Sequence, residues 1–280
     1  FRESPVSVIL LGVLLALAYL CRPTFLVWAI LLAAAACFLP RGRWKQRLGW
    51  SLLVLLPVAI AVSGWTLRNQ RALGHPVWAT THGGYTLLLG NNPSFYDYLK
   101  EADLGEVWDP ESFFAAYQPI RNGDPTREEF WRTDVSQVAA TTNTPRQRPS
   151  KMTEYSQDRI CYAAARATIR REPGTFVYSC LVRLGRLWSP LPHQTAGRSR
   201  SQIVLVAIFY GLIYLAIVLA AWRFGRGVLS PNWWPIWTLA ITLSVVHAIY
   251  WSNLRMRAPI VPALAAVAAA ALAPRRDARP

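Results

Sequence analysis

Three arginines near prolines are the residues of this sequence best suited to bind a phosphate. Arg22 directly precedes Pro23, and Arg255 and Arg257 come shortly before Pro259. A guanidinium is planar, always charged and able to give a phosphate two parallel hydrogen bonds. In the alternative interpretation, each arginine only extends its charged end from an apolar segment to the lipid headgroups. A site shared by the three arginines would hold the phosphate of a lipid.

His247 is a further candidate, near the end of an apolar segment. Histidine titrates near neutral pH, so it suits a proton relay or a polar contact to a lipid-linked phosphate. The structural alternative is a buried ring that bonds to a neighbouring carbonyl. Both interpretations stay open at the level of sequence.

A stretch rich in glycine and asparagine supplies the last group of candidates. Glycine gives backbone freedom and asparagine tolerates tight turns, so this stretch could present amide groups to a sugar or a phosphate. Clusters of this kind are also common in plain turns. The candidates here are Arg68, Asn69, Gly83, Gly84, Asn91 and Asn92.

Several common chemistries have no support in the sequence. It contains no Gly-rich loop ending in Lys-Ser/Thr, no nucleophile elbow and no Cys/His spacing typical of zinc. Cys21 and Cys37 lie in apolar segments and are predicted to be small packing residues, whereas Cys161 and Cys180 would pair only in an oxidising space. No metal ligand is predicted.

The elements that position these residues are long apolar segments. Hydrophobic residues make up 53% of the 280 residues, and they fall in blocks close to the roughly 20 residues that cross a bilayer. The sequence therefore predicts an all-α integral membrane protein with about six transmembrane or re-entrant helices. The predicted blocks are Val6 to Leu20, Phe25 to Leu39, Leu48 to Gly64, Ile203 to Trp222, Trp234 to Tyr250 and Ile260 to Ala273.

Basic residues between these blocks predict the topology. The net charge of +15 would suggest nucleic acid in a soluble protein, but outside the central segment most basic residues flank apolar blocks. The short basic segments 41–47, 223–226 and 274–280 all face the cytoplasm in one self-consistent assignment. The first two blocks then form a hairpin with its turn at Arg22–Pro23, because proline interrupts helical hydrogen bonding. The lipid bilayer is the predicted partner, and nucleic acid is not.

The segment 65–200 is predicted to lie outside the cytoplasm, between membrane regions 1–64 and 201–280. Acidic residues outnumber basic ones over 94–134, which predicts a solvated, loop-rich region. Helical periodicity follows over 153–171, and 175–187 carries apolar residues on one side with Arg183 and Arg186 on the other. This second pattern predicts an amphipathic helix in the membrane interface, with a plain surface helix as the alternative.

These motifs together resemble bacterial polytopic glycosyltransferases of the dolichyl-phosphate-mannose protein mannosyltransferase type (glycosyltransferase family 39). The order and spacing match across nearly the whole chain. The motifs are Arg22-Pro23-Thr24, Trp65-Thr66-Leu67-Arg68-Asn69, Gly83-Gly84-Tyr85, Gly90-Asn91-Asn92-Pro93, the run Arg171 to Pro190, and His247 with Arg255-Met256-Arg257-Ala258-Pro259-Ile260 and Pro262.

The resemblance implies a GT-C fold and an inner-membrane enzyme of the cell envelope. Such enzymes move a sugar from a polyprenyl phosphate to an extracytoplasmic lipid, glycan or protein by an inverting displacement. Arg255 and Arg257 would lie near the carrier phosphate, with Arg22 and His247 as helpers. No cofactor beyond the donor is implied with certainty, and a divalent metal and the oligomeric state stay open.

The sequence departs from the family in two ways. The family's acidic catalytic motif, in the first extracytoplasmic loop, has no counterpart here, and His82 stands where the family has asparagine. Because the sequence begins at Phe1, we expect an upstream part to carry the base and this chain to supply the carrier-side half, inactive alone. The alternatives are a non-catalytic membrane protein that binds or translocates a lipid-linked glycan, and a structural membrane subunit.

Overall fold

A computed structural model describes residues 4–38, 43–102, 106–121, 153–192 and 199–270. These residues form helices and no strands, which confirms the all-α prediction for this part of the chain. The predicted tail 274–280, part of the basic segment 41–47 and much of the acidic stretch lie outside the described residues. The α-helices are α1 (Pro5–Cys21), α2 (Thr24–Cys37), α3 (Trp44–Leu73), α4 (Gly83–Gly90), α5 (Pro93–Glu101), α6 (Glu111–Arg121), α7 (Glu154–Arg171), α8 (Pro173–Trp188), α9 (Arg200–Phe224), α10 (Trp234–Ile249) and α11 (Val261–Ala270).

Short 3₁₀ helices connect the last three α-helices. They cover Gly225–Leu229, Pro231–Trp233 and Leu254–Ile260. The chain divides into two compact units. Unit 1 comprises residues 1–64, 186–246 and 253–280, and unit 2 comprises 65–185 and 247–252.

Unit 1 begins with the predicted hairpin. α1 ends at Cys21 and α2 begins at Thr24, with the turn at Arg22 and Pro23, and the two helices pack on each other. Ser4 caps the first turn of α1 by accepting a hydrogen bond from the amide of Ser7. The turn has the cause that the sequence suggested, since proline cannot supply the N–H that a continuous helix would need.

Small residues let the helices of unit 1 approach closely. A Cβ added to Gly12 in α1 would stand only 2.5 Å from the carbonyl oxygen of Val54 in α3. In α2, Ala29 and Ala33 are buried, and the carbonyl of Ala33 accepts a hydrogen bond from the Ser51 hydroxyl of α3 at 2.9 Å. Small residues and hydroxyl groups at helix contacts are typical of packing within membranes.

Within the described residues, two helices are long and apolar enough to cross a membrane. They are α3, of 30 residues, and α9, of 25 residues. Large apolar side chains along α9 point outward, as Leu205, Leu212 and Val218 show with exposed fractions of 65%, 61% and 62%. Contact of such an apolar surface with water is unfavourable in free energy, whereas contact with lipid chains is not. α1 and α2 are apolar but shorter, with 17 and 14 residues.

α3 extends further than the predicted block from Leu48 to Gly64. It continues to Leu73, and Pro57 lies inside it. The sequence-based boundary at Trp65 reflected the change to polar residues, which limits an apolar block but does not by itself end a helix. The Trp65 indole donates to the carbonyl of Ala79 at 2.7 Å, which ties the last turns of α3 to the following loop.

Unit 2 is held together by a close contact between α4 and α7. The amide of Gly84 donates to the Asp158 carboxylate at 2.6 Å, and the aromatic ring of Tyr162 lies beside Gly83. A Cβ at Gly84 would overlap the backbone carbonyl of Asp158, so this position requires glycine, whereas a Cβ at Gly83 would meet only the end of the Tyr162 side chain. An aromatic core lies next to this contact and includes Phe95, Trp108, Phe113, Tyr96 and Trp251.

We predict that Gly84→Ala destabilises unit 2 by about 1–3 kcal/mol, because the new methyl group would overlap the backbone carbonyl of Asp158. Gly185→Ala is the matched control, since a Cβ there meets open space within α8 and alanine favours helix. Thermal unfolding of the purified protein in detergent measures both. Equal melting temperatures for the two variants would contradict the proposed tight contact.

Candidate functional site

Arg257 is the most deeply buried of the candidate arginines. It lies in the 3₁₀ helix Leu254–Ile260 and its exposed fraction is 0%. Its Nη1 donates to the Leu187 carbonyl at 3.0 Å and to the Tyr214 hydroxyl at 2.8 Å. The guanidinium carbon stands 3.6 Å from the centre of the Tyr210 ring, a cation–π distance. Two tyrosines of α9 and one backbone carbonyl therefore hold this cation.

The described residues of unit 1 contain no carboxylate that could neutralise the charge of Arg257. Its Nε and Nη2 are buried and have no hydrogen-bond partner, and the described residues of unit 1 include no aspartate or glutamate. Removing a cation from water costs several kcal/mol unless an anion or further acceptors compensate it. A guanidinium with two unsatisfied donors and no carboxylate can take a bound anion, and phosphate suits its planar geometry.

Arg22 lies beside the same 3₁₀ helix. Its Nη2 contacts the Met256 sulfur at 3.2 Å, and Met256 lies between Arg255 and Arg257 in the chain. A thioether is a weak acceptor and leaves the charge of Arg22 in place. The hairpin turn and the 254–260 segment, which are far apart in sequence, thus bring two of the three predicted arginines to one region of unit 1.

Arg255 takes a different position from Arg257. Its side chain is exposed, and its amide donates to the Asn253 side chain at 3.0 Å, which starts the 3₁₀ helix. With three residues per turn, side chains two positions apart point about 120° away from each other. Only Arg257 therefore points into unit 1, while Arg255 stays at the surface.

Tryptophan hydrogen bonds fix the surroundings of Arg257. The Tyr214 hydroxyl accepts from Arg257 and donates to the Trp188 carbonyl at 3.0 Å, and the Trp188 indole donates to the Ser244 hydroxyl at 2.9 Å. In α2, the Trp28 indole donates to Thr238 of α10 at 3.2 Å. These bonds link α2, α8, α9 and α10 around the buried cation.

His247 belongs to unit 2 and is buried, with an exposed fraction of 6%. Its Nδ1 lies 3.3 Å from the carbonyl oxygen of Trp251, so this nitrogen carries the proton and donates. The contact corresponds to the structural alternative, a ring bonded to a nearby carbonyl. A catalytic or phosphate-binding role for His247 stays a prediction.

The side chains of Asn91 and Asn92 are fully engaged by protein groups. Asn92 accepts from the Phe95 amide and donates to Leu88 and Leu89, so it caps α5 and closes α4. Asn91 donates to Leu87 and Ile249 and accepts from Tyr96. Contact of these amides with a sugar or a phosphate stays a prediction.

The remaining loop candidates also make contacts that stabilise the fold. Arg68 donates to Asn69 at 2.8 Å and lies over the Trp65 ring, while Asn69 donates to the Val77 carbonyl at 2.7 Å. Gly83 and Gly84 form the contact with α7 described above. Contacts within the protein account for these residues, between neighbours in the chain for Arg68 and across to α7 for the two glycines.

Arg183 is a key residue whose structural role the sequence did not reveal. The amphipathic pattern predicts it on the side of α8 opposite the apolar residues, and in the structure its side chain is buried, with an exposed fraction of 1%. Its Nε donates to the Ala248 carbonyl at 2.6 Å, its Nη1 to the Gly90 carbonyl and its Nη2 to Asn91 at 3.3 Å. The last carbonyls of α4 and α10 lack helical partners and attract a cation. Periodicity shows the opposite sides of a helix, but it does not show which side is buried.

Two buried titratable groups of unit 2, Asp158 and Cys161, have shifted pKa values. Burial raises the pKa of Asp158, although the Gly84 amide opposes this shift, and the carboxylate is occupied by that amide. Burial and the nearby Asp158 raise the pKa of Cys161 to about 12, so its thiol stays protonated at neutral pH. Cys161 and Cys180 are both free thiols, and no group of metal-ligating residues occurs in the described residues.

We predict that Arg183→Met destabilises the protein by about 3 kcal/mol or more, because it leaves buried carbonyl groups of Gly90 and Ala248 without donors. Arg170→Met is the control, since Arg170 is exposed on α7, and it should change stability by less than about 0.5 kcal/mol. Denaturant unfolding followed by tryptophan fluorescence measures the difference. A loss of stability no larger than that of the control would exclude a structural role for Arg183.

Comparison of the chain with models of known protein families, with curated proteins and with solved structures found no match, so its function is argued from its own residues.

Proposed function

We propose that this chain is the carrier-binding part of a membrane glycosyltransferase that uses a polyprenyl-phosphate sugar. The acceptor is an extracytoplasmic lipid, glycan or protein. The observation that carries the proposal is the buried guanidinium of Arg257, which has two unsatisfied donors in a unit whose described residues contain no carboxylate. The resemblance of the motifs around Arg22, His247 and Arg257 supports the same function.

The surroundings of Arg257 favour a phosphate carried by a lipid. Tyr210 and Tyr214 of α9 contact the guanidinium of Arg257. Other side chains of α9 form a long, exposed apolar surface. A monophosphate on a polyprenyl chain matches both properties, because its charge suits Arg257 and its hydrocarbon suits the apolar helices. Arg22, next to Met256, adds a second positive charge to the same region.

The proposed setting is the inner membrane, with several passes. α3 and α9 meet the length and composition of membrane spans, and α1 and α2 are shorter apolar helices. In the proposed topology α10 and α11, also apolar and shorter, would bring the membrane segments to six. The basic segments near Arg47 and Arg223 would face the cytoplasm. Residues 65–200 would then lie outside, on the side of the hairpin turn at Arg22.

The proposed reaction is a single displacement. The acceptor oxygen forms a bond to the anomeric carbon of the sugar, while the bond from that carbon to the carrier phosphate oxygen breaks and leaves its electrons on the phosphate. The acceptor proton passes to a carboxylate base, which the enzymes that the chain resembles carry in an extracytoplasmic acidic loop. Arg257 stabilises the departing phosphate, whose negative charge grows as the bond breaks.

A binding protein without transferase activity is the second candidate. The lack of carboxylates in the described residues of unit 1 favours it, because the Arg257 region by itself supplies no base. Both candidates require a lipid-linked phosphate at Arg257. They differ in whether the sugar leaves the carrier.

We predict that Arg257→Ala lowers sugar transfer by about 100-fold or more, the typical loss when a group that stabilises developing charge is removed. Lysine at this position should restore only part of the rate, because an ammonium lacks the planar pair of donors. Arg255→Ala should also reduce transfer. The assay uses the full-length protein in lipid nanodiscs with a panel of radiolabelled polyprenyl-phosphate sugars.

Arg200→Ala is the matched control, since Arg200 is an exposed arginine of the same unit at the start of α9. Its transfer rate should equal that of the unmodified protein. Wild-type rates in both Arg255→Ala and Arg257→Ala would overturn the phosphate site. Carrier binding that depends on Arg257, without transfer from any donor of the panel, would favour the binding protein.

A further inference from the structure

α8 exposes an apolar strip that no part of the described chain covers. We define the strip as Val177, Tyr178 and Leu181, whose exposed fractions are 59%, 51% and 62%. Leu181 lies four residues after Val177 and three residues after Tyr178, so its side chain neighbours both of them on the helix surface. A helix surrounded by water would turn such a side inward.

The opposite side of α8 prevents that rotation. Ser179 and Arg183 are buried there, with exposed fractions of 0% and 1%. The guanidinium of Arg183 bonds to the carbonyls of Gly90 and Ala248, and the Ser179 hydroxyl donates within the helix to Phe176. Rotating α8 to bury the strip would break the hydrogen bonds of Arg183. The fold of unit 2 therefore keeps the strip exposed.

α8 ends at helices of apolar character. Its last residue, Trp188, donates from its indole to Ser244 of α10 and accepts from Tyr214 of α9. α9 is one of the two helices that are long and apolar enough to cross a bilayer.

The end of α7 that precedes the strip is strongly basic. Arg159, Arg166 and Arg170 are exposed, and their spacing of seven and four residues places them on one side of α7. The acidic residues of α7 do not offset this charge along that side, because Asp158 is buried against Gly84 and Glu154 lies in the first turn. Arg170 is followed within a few residues by Pro173 and the first turn of α8.

We propose that α7 and α8 dock on a bilayer that contains anionic phospholipid. The apolar strip enters the boundary between headgroups and acyl chains, and Arg166 and Arg170 bind the lipid phosphates. An apolar helix face next to basic residues is the pattern that binds anionic membrane surfaces. This inference goes beyond sugar transfer and does not depend on it. It keeps the interfacial placement that the sequence predicts for α8. In this proposal Arg183 bonds to carbonyls inside unit 2, and the headgroup contacts come from α7.

Photo-crosslinking in the intact chain tests the docking. Benzoylphenylalanine replaces Tyr178 in one variant and Phe114 in another, because Phe114 is an aromatic residue of α6 in the same unit with a comparable exposed fraction of 49%. Each protein is reconstituted in vesicles of phosphatidylcholine alone or mixed with phosphatidylglycerol. Mass spectrometry of the labelled peptide identifies the species bound to it.

The proposal expects a several-fold higher yield of lipid adduct at position 178 than at position 114. In the mixed vesicles, the Arg166→Gln/Arg170→Gln variant should lose the extra yield that phosphatidylglycerol provides, and in phosphatidylcholine alone it should not change. Circular dichroism checks that each variant keeps its helices. Three outcomes would overturn the proposal. They are equal lipid-adduct yields at positions 178 and 114, an adduct between position 178 and protein, and a lipid-adduct yield at position 178 that does not change when phosphatidylglycerol is present.

Discussion

The burial of arginine side chains within an apolar helical protein is the constraint on which the rest of this structure depends. Arg183 and Arg257 are the two largest side chains that are fully buried. Arg183 meets the carbonyls at the ends of two helices and the side chain of Asn91. Arg257 meets one carbonyl, one hydroxyl and the ring of Tyr210, with Nε and Nη2 unsatisfied. The first arginine has its donors bonded to the protein, whereas the second keeps two donors without a partner.

The composition of unit 1 explains why a ligand, and not a side chain, would complete the Arg257 region. A carboxylate within a membrane segment is costly to insert, and the described residues of this unit contain none. A diffusing lipid brings its own phosphate and leaves with it, so the cation can stay ready to bind without a permanent counter-ion. Aromatic rings lower the cost in the meantime, since the ring of Tyr210 faces the guanidinium.

The sequence was sufficient for features that depend on local chemistry. The helical class, the hairpin turn at Pro23 and the interruption at Pro173 all follow from residue type and spacing. It was insufficient where tertiary contacts decide. The close approach of Gly84 to Asp158 looked like a turn because the partner helix is 74 residues away in the chain. The burial of Arg183 depends on helix ends that only the folded chain brings together.

The same distinction applies to the three arginines that the sequence grouped together. Proximity to proline predicted a common role, but the 3₁₀ geometry of 254–260 separates Arg255 from Arg257. Arg257 is enclosed, Arg22 is half-buried beside Met256, and Arg255 is exposed. In the proposed phosphate site these positions imply unequal roles. The enclosed guanidinium acts in a low dielectric, where its interaction with an anion is strongest, while the exposed one is screened by water and salt. Arg255 would therefore attract the carrier, and Arg257 would stabilise the charge that develops when the sugar leaves.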